Sequence, residues 1–117
     1  MSSEARPWKF RLQHILKAIA ECRAFVSGMT CEQFEADAKT LKAVVWNLMT
    51  IGEAARHIPA EVVAQHPEIP WAQMRGMRNH IVHGYDQINL GLVWTTVTEE
   101  LTPIVPLLER LMSETVD

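Results

Sequence analysis

The sequence is short of several features that would indicate a function directly. It has only two cysteines and one tyrosine among 117 residues, with five glycines and six prolines. Two cysteines without a metal-type spacing provide neither a disulfide framework nor a zinc motif. No apolar run approaches the roughly 20 residues that span a bilayer, and the N-terminus lacks the apolar core of a signal peptide. We therefore expect a cytoplasmic protein without a membrane anchor.

The sequence also lacks an excess of positive charge. The formal net charge is -3, which argues against a protein that coats nucleic acid nonspecifically through counterion release. An enzyme that contacts RNA through a local basic site is still compatible with this balance. Hydrophobic residues make up 48% of the chain, so we expect residues 1–117 to form a single folded domain.

Apolar residues recur at helical spacing along most of the chain, and no segment shows sustained alternation with a period of two. A long first helix is predicted from about Trp8 to Val26. A capping box at Thr30–Gln33 opens a short second helix, and Asp37 can cap a long third one. A brief helix is predicted over Ala60–His66, where Pro59 suits the first turn.

The C-terminal half predicts two further helices. One runs from Trp71 to about His83, where Gly84 would terminate it in the left-handed conformation. Asp86 or Asn89 can cap the last helix, and we expect Pro103 and Pro106 to break it near Leu101. The predicted fold is all-α, a bundle of four to five helices with short extra helices.

Function is best sought in the stretch from Arg78 to Tyr85, which contains the only tyrosine. Arginine grips phosphate oxygens, and histidine titrates nearest physiological pH. His83 would lie in the last helical turn, where the helix dipole favours its protonated form. Arg78 would lie about 140° around the same helix. The two side chains diverge, so the spacing favours a homodimer in which each Arg78 reaches the other chain's His83.

A cleft of this kind suits RNA cleavage in particular. RNA carries its own nucleophile, the 2′-hydroxyl, so a proton-moving histidine and a cation on the phosphorane suffice without metal. Asn79 could add a hydrogen bond to phosphate or hold the geometry. Arg75 and His80 would extend the local positive field.

The sequence resembles the HepT-type toxins of the HEPN superfamily. Arg78, His83 and Tyr85 match their Arg-x4-His-x-Tyr motif, including the polar residue that follows the arginine. The similarity extends from about Arg11 to Met112. Three further segments stand in the family's usual order: Ile51-Gly52-Glu53-Ala54-Ala55, Ile69-Pro70-Trp71 and Gly76-Met77-Arg78-Asn79.

The resemblance implies a dimeric all-α toxin that acts as a metal-independent ribonuclease. Arg78 and His83 would be its catalytic pair at the dimer cleft, and no cofactor would be needed. The family's partner is a small nucleotidyltransferase antitoxin, MntA, which attaches AMP to the motif tyrosine, here Tyr85. Added negative charge beside a phosphate site would repel RNA. The toxin dimer could assemble further with its antitoxin.

Several residues also have plainer interpretations. His80 and His83 have a spacing that can ligate metal, but only Asp86 could join them nearby, so we expect no metal site. Glu53 could orient Arg78 through a salt bridge, or be solvated or paired with Arg56. We expect the four tryptophans to pack in the core or at an interface: Trp8, Trp46, Trp71 and Trp94. We expect Cys22 and Cys31 to be small buried hydrophobic residues.

The alternative function is a non-catalytic helical binding module. In that case the bundle would dock a nucleotidyltransferase or hold a nucleotide, and Arg78 would grip phosphate without any bond being broken. A purely structural helical dimer would leave the cluster of arginine, histidine and tyrosine unexplained.

Overall fold

The computed structural model describes residues 8–81 and 87–114, apart from the side chain of His80, and this part of the chain contains helices and no β-strand. The helices are α1 (Lys9–Val26), α2 (Cys31–Ala36), α3 (Ala38–Arg56), α4 (Ala60–Gln65), α5 (Trp71–Arg75), α6 (Met77–Ile81), α7 (Leu90–Thr95), the π-helical turn (Thr96–Glu100) and α8 (Ile104–Glu114). Four longer segments form a bundle: α1, α3, α8, and α7 together with the π-helical turn that follows it. The predicted all-α bundle with short extra helices is confirmed.

The core lies mainly between α1 and α3, the helix pair with the most extensive contact. Both helices bury one apolar stripe at spacings of three and four residues, as the sequence pattern predicts. α8 adds Leu108 and Leu111 against the same core. Among the described residues, each helix is too short or too polar to cross a membrane.

Local side-chain caps fix where α2 and α3 begin. The backbone N–H of Gln33 donates to Thr30 Oγ1 at 3.1 Å, and the backbone N–H of Thr30 donates to Gln33 Oε1 at 2.9 Å. Asp37 accepts from the backbone N–H and the hydroxyl of Thr40 at 3.1 and 2.9 Å. Both predicted caps are confirmed, and each satisfies backbone donors that a helix leaves unpaired.

The predicted continuous helix from Trp71 is wrong in one respect. The segment divides into α5 and α6 at Gly76, whose φ of -85° and ψ of 3° lie in the bridge region outside the helical range. Glycine is a poor helix former, so it offers the least resistance to such a break. The expected end at His83 and the stop at Gly84 lie outside the described residues.

The expected interruption near Leu101 is confirmed. Asn89 caps α7 by accepting from the backbone N–H of Leu92 at 3.0 Å, whereas Asp86 lies outside the described residues. The backbone N–H of Leu101 then bonds to Thr96 O at 3.0 Å, a spacing of five residues that defines the π-helical turn. The chain leaves the helix there, because Pro103 has no backbone N–H to continue it.

The tryptophans and cysteines fit their predictions unevenly. Trp8 and Trp71 are buried, and Trp94 packs against Phe34 with ring centroids 5.4 Å apart. Trp46, in contrast, is 69% exposed and therefore takes no part in the core of this chain. Cys22 is buried as expected, but the prediction fails for Cys31, which is only partly buried at the start of α2.

Candidate functional site

The short helix α6 holds Arg78 and Asn79 at the protein surface. Met77 and Ile81, one helical turn apart, are buried and anchor the helix to the core. Arg78 and Asn79 lie between them in sequence and are exposed. The anchored side therefore fixes α6 while it presents a guanidinium and an amide to solvent. This pair of groups suits the binding of phosphate oxygens.

A glycine sets how closely α5 and α6 approach α3. A Cβ atom at Gly52 would lie 3.2 Å from Met74 O and 3.5 Å from Arg75 O, so the α5 backbone rests directly on the glycine. α6 follows α5 after one residue and also packs on α3. Gly52 thus helps to position the helix that carries Arg78.

Arg75 takes part in this packing. Its Nε donates to Ala55 O at 3.4 Å, near the C-terminal end of α3. A cation is favourable there because the carbonyls at the C-terminal end of a helix carry partial negative charge. The sequence predicts Arg75 only as a source of positive field, and the bond to Ala55 shows that it also links α5 to α3. Its other guanidinium nitrogens are further potential donors towards a phosphate.

The remaining motif residues lie outside the described part of the chain. These are His83 and Tyr85, together with Gly84, Asp86 and the side chain of His80. The distance from Arg78 to His83, and the expected pairing across a two-fold axis, therefore stay predictions.

Glu53 is largely solvated, one of the alternatives considered for it, and its neighbour is a histidine rather than an arginine. Its Oε2 lies 3.1 Å from His57 Nε2, and the side chain of Glu53 is 67% exposed. No ion pair joins it to Arg78 or to Arg56 within the described residues. Glu53 consequently does not orient Arg78 within one chain. The same described residues contain no group of three or more histidine, cysteine or acidic side chains that could hold a metal ion.

Two depressions lie beside α5 and α6, and Gln73 lines both. An open groove of about 430 Å³ is lined by Ala72, Gln73, Gly76 and Asn79. The sequence pattern did not single out Gln73, although small residues four apart at positions 72 and 76 would leave space on one helix face. The other depression is an apolar pocket of about 260 Å³ whose lining includes the carboxylates of Glu68 and Glu100. The groove beside Asn79 has no carboxylate in its lining, so it is better suited to an RNA strand than the apolar pocket.

Together, the fold and this surface define an all-α protein with a candidate anion site on a short helix. A family profile described as "Ribonuclease HepT-like" matches residues 15–111. The chain therefore belongs to the HepT-like ribonuclease family, in agreement with the resemblance carried by the motif residues.

Individual relatives agree with this assignment. A protein named "Probable ribonuclease HepT" from Thermococcus cleftensis is 36% identical over 106 residues, covering 91% of this chain and 96% of its own. A protein from Caldanaerobacter subterraneus whose name includes the term RNase is 33% identical over 103 residues, with 88% of each chain covered. Another with that term in its name, from Methanocaldococcus jannaschii, is 30% identical over 103 residues, covering 88% and 85%. No solved structure matches the chain.

Proposed function

We propose that this protein is a metal-independent endoribonuclease that acts as the toxin of a toxin–antitoxin pair. The observation that carries the proposal is the family match over residues 15–111, which includes the whole Arg78–Tyr85 motif. The exposure of Arg78 on an anchored helix supports it, because a phosphate-binding cation must be accessible to RNA. The active unit is a homodimer in which Arg78 of one chain works with His83 of the other.

The reaction is a transesterification within the RNA. The 2′-hydroxyl oxygen attacks the adjacent phosphorus, and the bond from phosphorus to the 5′-oxygen of the next nucleotide breaks. A 2′,3′-cyclic phosphate and a free 5′-hydroxyl result. His83 transfers the proton from the 2′-hydroxyl to the departing 5′-oxygen. Proton transfer of this kind typically raises the rate about 10²–10⁴-fold. Arg78 stabilises the negative charge of the phosphorane, while Asn79, Arg75 and His80 assist in holding the phosphate.

The test is cleavage of RNA by the purified, unmodified protein in EDTA. We expect His83→Ala and Arg78→Ala each to lower the rate by about 10²-fold or more. Matched controls are His14→Ala and Arg23→Ala, which remove an exposed histidine and an exposed arginine on α1. Cleavage that persists in the His83 variant, or that needs a divalent metal, would contradict the mechanism.

The same experiments separate the enzyme from a non-catalytic binding module. Expression of a toxin should arrest growth, and Arg78→Ala should relieve the arrest. A binding module should leave growth unaffected in both cases. Terminal phosphate analysis of the RNA products then reports the chemistry, since transesterification leaves a cyclic or 3′ phosphate.

Regulation would act through Tyr85. An antitoxin of the nucleotidyltransferase class attaches AMP to its hydroxyl, and the added negative charge repels the RNA backbone beside Arg78. Co-expression with such an enzyme should raise the intact mass by whole AMP units and suppress cleavage. Tyr85→Phe removes the chain's only tyrosine and should abolish the mass change. An unchanged mass of the unsubstituted protein would refute this part of the proposal.

A further inference from the structure

One face of α3 is left uncovered by the other described residues. Because successive helical residues turn by about 100°, Trp46 and Met49 point about 60° apart, and Lys42 and Glu53 point in directions between these two. We call these four residues the α3 ridge. Lys42, Trp46 and Glu53 are exposed, and Met49 is partly exposed.

The other sides of α3 are occupied by neighbouring helices. Asn47 Nδ2 donates to Glu21 Oε1 at 2.9 Å and to Ala18 O at 3.4 Å, which ties one flank to α1. On the opposite flank Gly52 rests against the backbone of α5. The α3 ridge is therefore a strip that runs between α1 and the pair formed by α5 and α6.

Trp46 is the feature that most requires a partner. It is 69% exposed, compared with 44% for Phe10 and 40% for Phe25, the other large exposed apolar side chains of the described residues. Tryptophan is among the residues enriched in protein interfaces, particularly in the few positions that carry most of the binding energy. Met49, one turn further along, extends the apolar surface with a flexible side chain that packs well on aromatic rings.

The opposite charges of Lys42 and Glu53 favour a second copy of the chain as the partner. Positions 42 and 53 lie equally far from a midpoint between residues 47 and 48, and so do positions 46 and 49. A two-fold axis at that midpoint with the helices antiparallel would bring each residue opposite its counterpart. Lys42 then lies opposite the carboxylate of the partner subunit's Glu53, and Trp46 lies opposite the thioether of the partner subunit's Met49. A parallel arrangement would instead place lysine against lysine.

We propose that two chains associate through their α3 ridges, antiparallel about a two-fold axis. Trp46 packs against the partner subunit's Met49, and Lys42 pairs with the partner subunit's Glu53. The contact between Glu53 and His57 involves Oε2, so the second carboxylate oxygen can accept the lysine. The two ion pairs flank the apolar centre, with Lys42 and Glu53 of one helix about 16 Å apart.

This inference rests on the homodimer of the proposed function and specifies its contact face. α6 packs on α3 beside the ridge, so an axis on the ridge keeps the Arg78-bearing helices of both chains next to the interface. Each site is then completed by the partner chain. The ridge thereby gives Glu53 a role between chains.

The test is a charge exchange measured by sedimentation over a concentration series. Lys42→Glu and Glu53→Lys should each raise the dimer dissociation constant about tenfold or more, because each creates like-charge contacts at both symmetric positions. The double variant exchanges the charges and should return to within about threefold of the original value. Lys17→Glu makes the same charge change on the exposed side of α1 and should have little effect.

A second measurement probes the apolar centre. Trp46→Ala should weaken the dimer at least about 30-fold, as expected for an interface hot spot. Phe25→Ala removes an exposed aromatic ring elsewhere and serves as the matched control. Circular dichroism would verify that each variant keeps its helical content, and the exposure of Trp46 makes that the expected result.

Each outcome bears on the proposal separately from ribonuclease activity. A monomer at all concentrations, a dimer unaffected by Trp46→Ala, or a failure of the double variant to restore association would overturn the interface. Loss of binding to a nucleotidyltransferase with the dimer intact would assign the ridge to that partner and also overturn it. If the ridge variants dissociate but the original protein cleaves no RNA, the interface stands and the proposed function fails.

Discussion

Replacing Gly52 by alanine should destabilise the protein, although alanine is the better helix former. In a helix interior alanine is favoured over glycine by about 1 kcal/mol. Opposing this, the new Cβ would lie 3.2 Å from Met74 O, closer than the 3.4–4 Å of an ordinary van der Waals contact. Overpacking of this kind typically costs about 1–3 kcal/mol. The expected net effect is a loss of about 0–2 kcal/mol in the free energy of unfolding.

The α5 backbone has little freedom to retreat from the added methyl group. Trp71 and Met74 are 4% and 0% exposed, so any shift of α5 disturbs the core. The bond from Arg75 Nε to Ala55 O also holds α5 against α3. These restraints are the reason that we expect the cost of the contact to exceed the gain in helix propensity.

Gly91→Ala provides the matched control. A Cβ atom at Gly91 in α7 would have Asn89 Oδ1, at 3.9 Å, as its nearest neighbour, so it meets no close contact. This variant should gain about 0.5–1 kcal/mol. Urea unfolding at one fixed protein concentration would compare the two variants, with unchanged m-values showing that the same transition is measured. If Gly52→Ala stabilises the protein as much as Gly91→Ala does, the argument from close helix approach is refuted.

Two further predictions concern single side chains. The backbone N–H of Thr40 donates to Asp37 and lowers the pKa of that carboxyl group. The ionised cap therefore stabilises α3 at pH values above the ordinary pKa of about 3.9, and this stabilisation is lost as the pH falls through the lowered pKa. The stability difference between the original protein and Asp37→Ala should therefore shrink below about pH 4; a pH-independent difference would contradict the assignment. Burial raises the pKa of the Cys22 thiol to about 12, so a thiol reagent at neutral pH should modify Cys31 in the folded protein and Cys22 only after unfolding. Desolvation and the nearby Glu35 also raise the pKa of Cys31, so we expect its reaction to be slow. Modification of the folded Cys31→Ser variant would contradict the prediction, because it would show that Cys22 is accessible.

Local sequence patterns account for most of the helices. The capping box at Thr30 and the cap at Asp37 involve residues three apart, and the break near Leu101 follows from a proline without an N–H. Interactions of this range depend little on the rest of the fold. The motif from Arg78 to Tyr85 likewise indicates the family, because it specifies residue types at fixed spacing.

The sequence by itself therefore determined most of the helices, the caps at Thr30, Asp37 and Asn89, the all-α class and the family. The tertiary structure alone decided that α5 and α6 separate at Gly76, that Glu53 lies beside His57, and that Trp46 is exposed. Periodicity shows which residues of a helix are apolar, but it does not show which neighbouring helix covers them. Coverage depends on packing between segments distant in sequence, and on α3 the other described residues leave Trp46 exposed.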